Sequence, residues 1–349
     1  MSDPGPRYAV KNYAPERKEA LRALCAEVWP NQPGAAFDRR WWWSSKTPTI
    51  KLAEETETGK LAGFCAYIPF TSYFGSKARP SAWFVDFFVS PGHQGKGLGR
   101  LLTASVAESF EVTASLNQSD AAYAVFQKMG WRPRRTAKLH LNPWTLIPGA
   151  FPSLFGAPRN APRPGIEAAP FSSDAVGPEF DRLWNASKDR FGAIGARDAG
   201  ALRGRYGRPG NPYTLLRCVE GGALTGYMVA RRVPPGAIRS LRGLPAGLIV
   251  DYLTAPEDSA RIFSALVAEA ARRLAGEGPA VLLALSSVPE FDRSLAALGF
   301  ASSATPLIGK ILARLDVGFT LASRTGDDAI LDAPWFLTLG DCDMDLMWQ

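Results

Sequence analysis

A glycine-rich segment at residues 89–100 has the composition of an anion-binding loop. It reads Val-Ser-Pro-Gly-His-Gln-Gly-Lys-Gly-Leu-Gly-Arg, with glycines at positions 92, 95, 97 and 99. Glycine has no Cβ, so successive amides of such a loop can turn toward one ligand, and a following helix adds the partial positive charge of its N-terminus. Lys96 and Arg100 add charge at the rim. The segment therefore predicts a site for a phosphate or a pyrophosphate.

Two other glycine-rich nucleotide loops do not match this segment. A Rossmann pattern that starts at Gly97 requires its third glycine where Leu102 stands, and the segment follows the middle of the domain instead of its first strand. A P-loop requires Ser or Thr after its lysine, whereas Lys96 is followed by Gly97. The pattern that remains is Gln-x-x-Gly-x-Gly over residues 94–99.

The elements that must position this segment follow from the spacing of apolar residues. Leu21, Leu24, Cys25 and Val28 fall at i, i+3, i+4 and i+7, which predicts an amphipathic helix. Runs rich in β-branched and aromatic residues predict strands, one of which leads into the segment. The predicted order is helix 15–28, strands 50–53, 61–69 and 82–90, a helix from residue 98, strand 112–116, helix 119–129 and strand 134–141.

Loop and element order together resemble one known family. Residues 94–99, directly after a strand that ends in Val-Ser-Pro, resemble motif A of the GNAT superfamily of N-acetyltransferases. The order of elements over residues 8–141 and the Gly130-Trp131 pair resemble the same family. The resemblance implies an α/β (α+β) fold with a mixed, mostly antiparallel sheet flanked by helices. It also implies an acyl-CoA-dependent N-acyltransferase, with acetyl-CoA as cosubstrate and direct attack of an amine on the thioester.

The resemblance also implies which residues bind the cofactor. The pyrophosphate is expected on the backbone of residues 94–99, and the pantetheine along the strand at residues 87–89, where a backbone amide stabilises the oxyanion. Asn117, after the fifth strand, is a candidate pantetheine contact or a plain turn residue. The predicted cofactor-binding residues are Phe87, Phe88, Val89, Gln94, Gly95, Lys96, Gly97, Leu98, Gly99, Arg100 and Asn117.

Two residues are candidates for moving protons. An attacking amine must be neutral, and Asp86 stands as a possible base in an otherwise apolar strand. A structural role is the alternative, because Asp251 holds the matching place in the second half of the chain. GNAT enzymes often protonate the leaving thiolate with a Tyr at the position of Phe126, so that assignment fails here. Tyr123, on the same helical face, is either its substitute or a packing residue.

The second half of the chain repeats the first without its phosphate loop. Leu61-Ala-Gly-Phe resembles Leu224-Thr-Gly-Tyr, Val85-Asp-Phe-Phe-Val resembles Val250-Asp-Tyr-Leu-Thr, and Lys128-Met-Gly-Trp resembles Ala297-Leu-Gly-Phe, at offsets of about 163 to 169 residues. The counterpart of the loop, residues 255–261, has no glycine and two carboxylates, which would repel CoA. The sequence therefore predicts two tandem GNAT-like domains, the second degenerate and shaping an acceptor pocket against the first.

Composition suggests the domain boundaries. The prediction is a GNAT domain with the acyl-CoA site at 1–142, a packed Pro/Gly-rich linker at 143–170, a degenerate GNAT-like domain at 171–318 and an extension at 319–349. Three aspartates at 341, 343 and 345 of the extension predict a solvated acidic tail, with a cationic acceptor or a metal as the alternatives. Trp41, Trp42 and Trp43 are candidates to line the acceptor pocket.

Composition also excludes several classes of function. The hydrophobic fraction is 46% and the charged fraction 21%, without an apolar run or a signal peptide, which favours a cytoplasmic protein with no membrane partner. Four scattered cysteines and two histidines make a zinc site, a disulfide framework or a histidine relay hard to build, so no metal is expected. The net charge of +7 is spread out, which suits an anionic ligand better than a nucleic-acid partner.

Three functions remain open at this point. The first is transfer of an acyl group to a small-molecule amine. The second is aminoacyl transfer from tRNA, because Fem-type transferases also pair two GNAT-like halves, although they do not need the CoA loop. The third is non-catalytic binding of acyl-CoA, suggested by Phe126 and the degenerate second half. The acceptor, the acyl chain length and the oligomeric state do not follow from the residues.

Overall fold

A computed structural model of the chain describes residues 7–28, 49–134, 137–143, 165–208, 211–238, 241, 243–278, 280–302, 317–342 and 344–345. These residues form two units that alternate along the chain. The first unit contains the described residues of 1–72, 79–134 and 318–332, and the second those of 73–78, 135–317 and 333–349. Trp41, Trp42, Trp43 and Asp343 lie outside the described residues.

A mixed sheet forms the centre of the first unit. Its strands lie in the order β1-β2-β3-β4-β5-β15-β6. The parallel pair is β4 with β5, whereas β1 with β2, β2 with β3, β15 with β5 and β15 with β6 are antiparallel. The strands span Tyr8–Asn12 (β1), Ile50–Glu55 (β2), Leu61–Phe74 (β3), Lys77–Val89 (β4), Val112–Leu116 (β5), Arg132–Arg134 (β6) and Phe319–Ser323 (β15).

Helices pack on both faces of this sheet. The helices are α1 (Lys18–Val28), α2 (Leu98–Ala107), α3 (Asp120–Lys128) and a last short one, α8 (Asp328–Leu331). Leu98 and Phe126 of α2 and α3 share a core with Cys65 of β3, while Leu21 of α1 shares another with Phe64. Successive residues of a strand face opposite sides, so the two cores lie on opposite faces of the sheet.

The parallel strands of the first unit part at one end. Ser81–Phe84 of β4 pair with Val112–Ser115 of β5, and β4 then continues to Val89 without this partner. We call the parting ends of the two parallel strands the fork of the unit. Parting strands leave backbone groups without a ladder partner, and such groups need a ligand, water or another segment.

The second unit has a sheet of the same design, in the order β14-β7-β13-β12-β11-β10-β8. Its parallel pair, β12 with β13, is joined over Ala246–Ile249 and Val281–Ala284, and then forms a fork of its own. The strands are β7 (Lys138–Asn142), β8 (Gly165–Pro170), β10 (Tyr213–Glu220), β11 (Ala223–Val233), β12 (Ala246–Thr254), β13 (Val281–Ser286) and β14 (Ala301–Ser302).

Four α-helices and a small pair of strands complete the described part of the second unit. The helices are α4 (Pro178–Ser187), α5 (Ala199–Tyr206), α6 (Ser259–Gly276) and α7 (Pro289–Ala297). Strands β9 (Ala193–Gly195) and β16 (Trp335–Phe336) pair in parallel. The predicted fold class is confirmed, because the chain has two mixed sheets flanked by helices.

The two sheets exchange one strand. In the first sheet β15 lies between β5 and β6, and in the second β7 lies between β13 and β14. Each of these strands comes from the other half of the sequence. The predicted strand at 134–141 therefore does not complete the first half: Arg132–Arg134 stay there, and Lys138–Asn142 enter the second sheet. The predicted contiguous domains, 1–142 and 171–318, differ from the observed units in this respect.

Two glycines show that the internal repeat is structural. A Cβ at Gly63 of β3 would lie 2.7 Å from the carbonyl oxygen of Phe88 and 3.3 Å from Cδ1 of Leu102. A Cβ at Gly226 of β11 would lie 2.7 Å from Cγ2 of Ile262 and 3.2 Å from Cδ1 of Leu266. In each unit a helix thus packs directly onto the strand next to the fork, and only glycine leaves the room.

No helix within the described residues is both long and apolar enough to span a membrane.

Candidate functional site

The predicted phosphate loop joins the end of β4 to the start of α2. A turn of 3-10 helix spans Pro91–His93, and α2 begins at Leu98. Gly95 and Gly97 have φ angles of 74° and 81°, which are left-handed, and a Cβ at either position would meet nothing within 4 Å. The backbone conformation therefore requires glycine here, and the space above both residues is open to a ligand.

Gly99 has a different role from the other loop glycines. A Cβ at this position would lie 3.2 Å from the ring of Phe87 and 3.3 Å from Cγ2 of Val125. The first turn of α2 is thus held close to both β4 and α3. A larger residue at 99 would push the helix start away from the strand that carries the predicted pantetheine contacts.

Six amides of the loop are free to bind an anion. Within the described chain, the amides of residues 95–100 donate to no backbone acceptor. Gly97, at the N-terminus of α2, supplies no side-chain cap. An unpaired series of amides at a helix N-terminus is the arrangement that binds phosphate. The donors of the loop and the start of α2 therefore fit a pyrophosphate.

The polar side chains of the loop leave its amides uncovered. Gln94 Nε2 donates to the carbonyl of Val89 at 3.0 Å, and Lys96 Nζ donates to that of Gly92 at 2.6 Å. Both side chains are exposed, as is Arg100. Arg100 is engaged in no hydrogen bond or ion pair within the described residues. Lys96 and Arg100 thus place two positive charges at the rim of the phosphate loop.

The predicted pantetheine contacts lie on the free end of β4. Phe87, Phe88 and Val89 are half-buried and follow the last residue paired with β5. Phe87 packs against Phe126, with ring centroids 6.2 Å apart, whereas Phe88 packs against Phe64 at 6.4 Å. The two rings therefore anchor β4 to the cores on its two faces, and the backbone between them borders the fork.

Asp86 lies in the same stretch of β4 and is half-buried. Its charge acts on Cys65 of the adjacent β3: burial first, and Asp86 second, raise the pKa of the Cys65 thiol well above its ordinary value. The neighbouring cysteine is therefore a thiol and not a thiolate at neutral pH. It is not available as a nucleophile.

Asp251, the counterpart of Asp86, is fully engaged. It accepts hydrogen bonds from Arg197 Nε at 2.9 Å, from the Tyr206 hydroxyl at 3.1 Å and from the Thr338 hydroxyl at 3.2 Å. It also accepts from the amide of Tyr252. This carboxylate is structural. The matching aspartates thus differ in burial, since Asp86 is half-buried whereas Asp251 is 4% exposed.

The two aromatic residues of α3 differ in exposure. Phe126 is 1% exposed, stacks on Trp131 with ring centroids 4.2 Å apart, and meets Phe84 edge to face at 5.6 Å. Tyr123 is 38% exposed, so the packing alternative considered for it does not describe its position. A hydroxyl in place of a Phe126 ring hydrogen would enter an aromatic core, whereas the Tyr123 hydroxyl is on an exposed side chain.

Asn117 is a turn residue in the structure. It follows β5 with a φ angle of 55°, in the left-handed region that Asn tolerates better than most residues. Its amide donates to the carbonyl of Gly318 at 2.7 Å, just before β15. The turn brings the exchanged strand alongside β5, and this accounts for an asparagine here without a ligand.

Arg190 fills the place of the phosphate loop in the second unit. Its guanidinium donates to the carbonyls of Thr254 and Ala255, each at 3.2 Å, and to the Ser259 hydroxyl at 2.8 Å. Thr254 ends β12 and Ser259 begins α6, so these groups correspond to the ends of the loop in the first unit. Glu290 then pairs with the same guanidinium at 3.1 Å.

The C-terminal segment fills the fork of the second unit. The Gly340 amide donates to the carbonyl of Val250 on β12 at 2.6 Å. The Leu337 amide donates to the hydroxyl of Ser287, directly after β13, at 2.8 Å. Residues 337–340 therefore lie between the two parting strands. Arg190 and this segment thus occupy the places that correspond to the phosphate loop and the fork of the first unit.

Two of the three tail aspartates, Asp341 and Asp345, are buried, so the prediction of a solvated tail is wrong for them. Asp341 accepts from Arg197 at 2.6 Å, and Asp345 from Arg205 at 2.7 Å and from the Tyr213 hydroxyl at 2.5 Å. Burial and the nearby Asp251 raise the pKa of Asp341 despite the opposing charge of Arg197. Asp341 and Asp345 are thus held by arginines of the same unit.

Two side-chain pairs that brace the loop were missed by the sequence reasoning. Ser90 donates to Glu27 of α1 at 2.8 Å, and the Tyr8 hydroxyl of β1 lies 2.9 Å from Nδ1 of His93. Both pairs join residues more than 60 positions apart. No local spacing signals such a pair, although a histidine inside the glycine-rich segment was a visible candidate.

Comparison with known proteins identifies the family of the domain that carries the loop. Residues 15–131 match the acetyltransferase (GNAT) family. The chain therefore carries a GNAT domain and belongs among the acyltransferase enzymes. A search of curated proteins finds no significant sequence match.

Solved structures with a similar fold cover both units. A probable N-acyltransferase from Enterococcus faecalis is 12% identical with a TM-score of 0.60, over 91% of this chain and 72% of that one. A GCN5-related N-acetyltransferase from Anabaena variabilis is 13% identical with a TM-score of 0.59, over 90% and 72%. N-myristoyltransferase of Saccharomyces cerevisiae, with bound myristoyl-CoA, is 14% identical with a TM-score of 0.57, over 92% and 80%. At these identities the likeness shows the fold.

Proposed function

We propose that the first unit transfers an acetyl group from acetyl-CoA to the amine of a small molecule, by direct attack of the amine on the thioester. The proposal rests on the amides of residues 95–100, which donate to no backbone acceptor within the described chain. Two of these residues, Gly95 and Gly97, have left-handed φ angles and open space around them. When the pyrophosphate binds to those amides, the pantetheine extends along the free end of β4 toward Asp86.

The residues of the fork divide the chemistry among them. Asp86 accepts the proton of the attacking amine, directly or through water. Backbone amides of β4 that β5 leaves unpaired stabilise the negative charge on the thioester oxygen. The thiolate of CoA then leaves and takes a proton from Tyr123 or from water. No covalent enzyme intermediate is involved, since the neighbouring Cys65 remains a buried thiol.

One cofactor site per chain is part of this proposal. Arg190 and residues 337–340 close the loop and the fork of the second unit. The second unit is proposed to contribute to selection of the acceptor. The cysteines Cys25, Cys65, Cys218 and Cys342 are buried thiols, which together with an acyl-CoA substrate favours the cytoplasm as the place of action.

An acceptor screen tests the reaction. The protein is incubated with acetyl-CoA and a panel of amines, and release of the CoA thiol is followed with a thiol reagent. All four cysteines are buried, so the protein itself contributes little background. Turnover with at least one amine, lost in Asp86→Asn while acetyl-CoA still binds, supports the proposal. Equal turnover by Asp86→Asn would remove Asp86 from the mechanism.

A second function, acyl-CoA binding without turnover, is favoured by one observation. The position that carries the usual tyrosine acid is Phe126, which is buried and stacked on Trp131. The same screen separates the two functions. Acetyl-CoA binding with no thiol release across the whole panel favours the binding protein over the enzyme.

A further inference from the structure

His93 is the one titratable residue of the phosphate loop whose side chain is anchored to the core of its unit. Its ring meets the Tyr8 ring edge to face, with centroids 5.7 Å apart, and its Nδ1 lies 2.9 Å from the Tyr8 hydroxyl. Tyr8 is 8% exposed and shares a core with Leu98 and Leu102 of α2. The imidazole is therefore fixed against a tyrosine that packs on α2, the helix that follows the phosphate loop.

The contact between the Tyr8 hydroxyl and Nδ1 favours one tautomer of His93. Within the described residues, that hydroxyl has no acceptor other than Nδ1 of His93. A nearly buried hydroxyl that donates to Nδ1 satisfies its own proton, and a neutral imidazole then carries its hydrogen on Nε2. The opposite tautomer would leave the tyrosine proton without an acceptor.

The other ring nitrogen of His93, Nε2, has no hydrogen-bond partner within the described residues. The residue is only half-buried. The residue directly precedes Gln94, where the series of loop residues that would bind a phosphate begins. A fixed donor next to free amides loses little conformational entropy when an anion binds.

The charged groups around His93 are few. Arg7 lies over the Tyr8 ring at 5.4 Å and pairs with Glu55 at 3.3 Å. The pKa of Glu55 is lowered, first by a hydrogen bond from Thr58 and also by the charges of His93 and Arg7. Lys96 is tied to the carbonyl of Gly92. None of these groups occupies Nε2.

We propose that the Nε2–H group of His93 is an additional hydrogen-bond donor to a phosphate of CoA, and that Tyr8 is the positioning residue that fixes its tautomer and ring orientation. This inference rests on the proposed function, because it takes CoA as the ligand of the loop. Tyr8 touches no substrate and acts through His93.

The tautomer can be measured without any cofactor. The chain has two histidines, so a two-dimensional 15N spectrum of the imidazoles shows two ring systems, and His93→Gln assigns both. The expected result is a neutral Nε2–H tautomer for His93 that becomes mixed in Tyr8→Phe. A His93 ring protonated on Nδ1 in the unaltered protein overturns the proposal, whatever the protein binds.

The affinity for CoA tests whether the Nε2–H group of His93 donates to a phosphate. His93→Phe is expected to weaken CoA binding about tenfold, the usual effect of losing one hydrogen bond to a charged group. His93→Gln, which keeps an N–H donor near the position of Nε2, is expected to retain most of the affinity. Tyr8→Phe should weaken binding by a smaller factor. Tyr67→Phe is the matched control, since it removes a half-buried tyrosine hydroxyl of the same unit away from the loop.

A comparison of CoA with dephospho-CoA shows which phosphate His93 contacts. Dephospho-CoA lacks the 3′-phosphate but keeps the pyrophosphate. An equal effect of His93→Phe on both ligands assigns His93 to the pyrophosphate, and an effect on CoA alone assigns it to the 3′-phosphate. Unchanged affinity of His93→Phe for both ligands overturns the inference, while failure of the unaltered protein to bind CoA contradicts the proposed function instead. Thermal unfolding of each variant shows that it is folded.

Discussion

Arg197 and Asp251 form a buried ion pair in the second unit, with the guanidinium Nε 2.9 Å from the carboxylate Oδ1. The side chains are 3% and 6% exposed. Asp251 stands where Asp86 stands in the first unit, but Asp86 is half-buried at a fork that no described segment fills. One module thus appears twice, with its carboxylate buried in an ion pair in one copy and half-buried beside the phosphate loop in the other.

The first prediction separates the roles of these two aspartates. Asp251→Asn is expected to lower the free energy of unfolding by about 3 kcal/mol, because Arg197 then keeps a buried charge with one partner fewer. Asp86→Asn is expected to change stability much less and to lower turnover strongly, with acetyl-CoA affinity unchanged. Chemical denaturation and thiol release measure the two effects. An Asp86→Asn protein that is as unstable as Asp251→Asn would show that both residues are structural.

The second prediction concerns the C-terminal segment in the second fork. A Cβ at Gly340 would collide with the Tyr206 hydroxyl and lie 3.1 Å from Cβ of Asp251. Gly340→Val is therefore expected to displace the segment and to destabilise the protein by about 2 kcal/mol or more. Gly204→Ala is the control, because a Cβ there meets nothing within 4 Å and alanine favours the helix.

Thermal unfolding measures both glycine variants. A Gly340→Val protein as stable as the original would mean that residues 337–340 do not hold the fork closed in solution. A destabilised Gly204→Ala protein would show instead that the unit tolerates no added methyl group, and the comparison would then carry no information on the fork.

The third prediction follows from the strand exchange. A chain of residues 1–142 lacks β15, whose Phe319 and Leu321 are 1% and 0% exposed in the first unit. This fragment is expected not to fold, because β5 and β6 lose the strand that lies between them. Co-expression with residues 143–349 is expected to restore folding. A dispersed amide spectrum from the fragment alone would contradict the exchange.

The strand exchange also shows which features of the fold were predictable from the sequence and which were not. Residues 138–142 and 319–323 both have the composition of strands, and a strand pattern does not specify the sheet that receives it. The phosphate loop was predictable because its glycines act through local backbone geometry. The burial of the acidic tail was not, since Arg197 and Asp341 are 144 residues apart.

The fourth prediction tests the source of the leaving-group proton. Phe126→Tyr is expected not to raise turnover, although it restores the usual family residue, because its hydroxyl would enter the stack on Trp131. A buried hydroxyl without a partner is expected to cost about 1–3 kcal/mol of stability. Tyr123→Phe, at an exposed position, is expected to lower turnover without a loss of stability. Increased turnover in Phe126→Tyr would show that the aromatic core opens to the fork.

The most direct test of the account is calorimetry with acetyl-CoA. We expect one binding site per chain. Binding should be lost in Gly97→Val, because a β-branched residue cannot readily adopt a φ angle of 81° at the start of α2. Gly222→Val is the matched control, since it places the same strain at a φ angle of 80° in the second unit and should leave binding intact. No binding, two sites per chain, or full affinity in Gly97→Val would contradict an acyl-CoA site at residues 94–100.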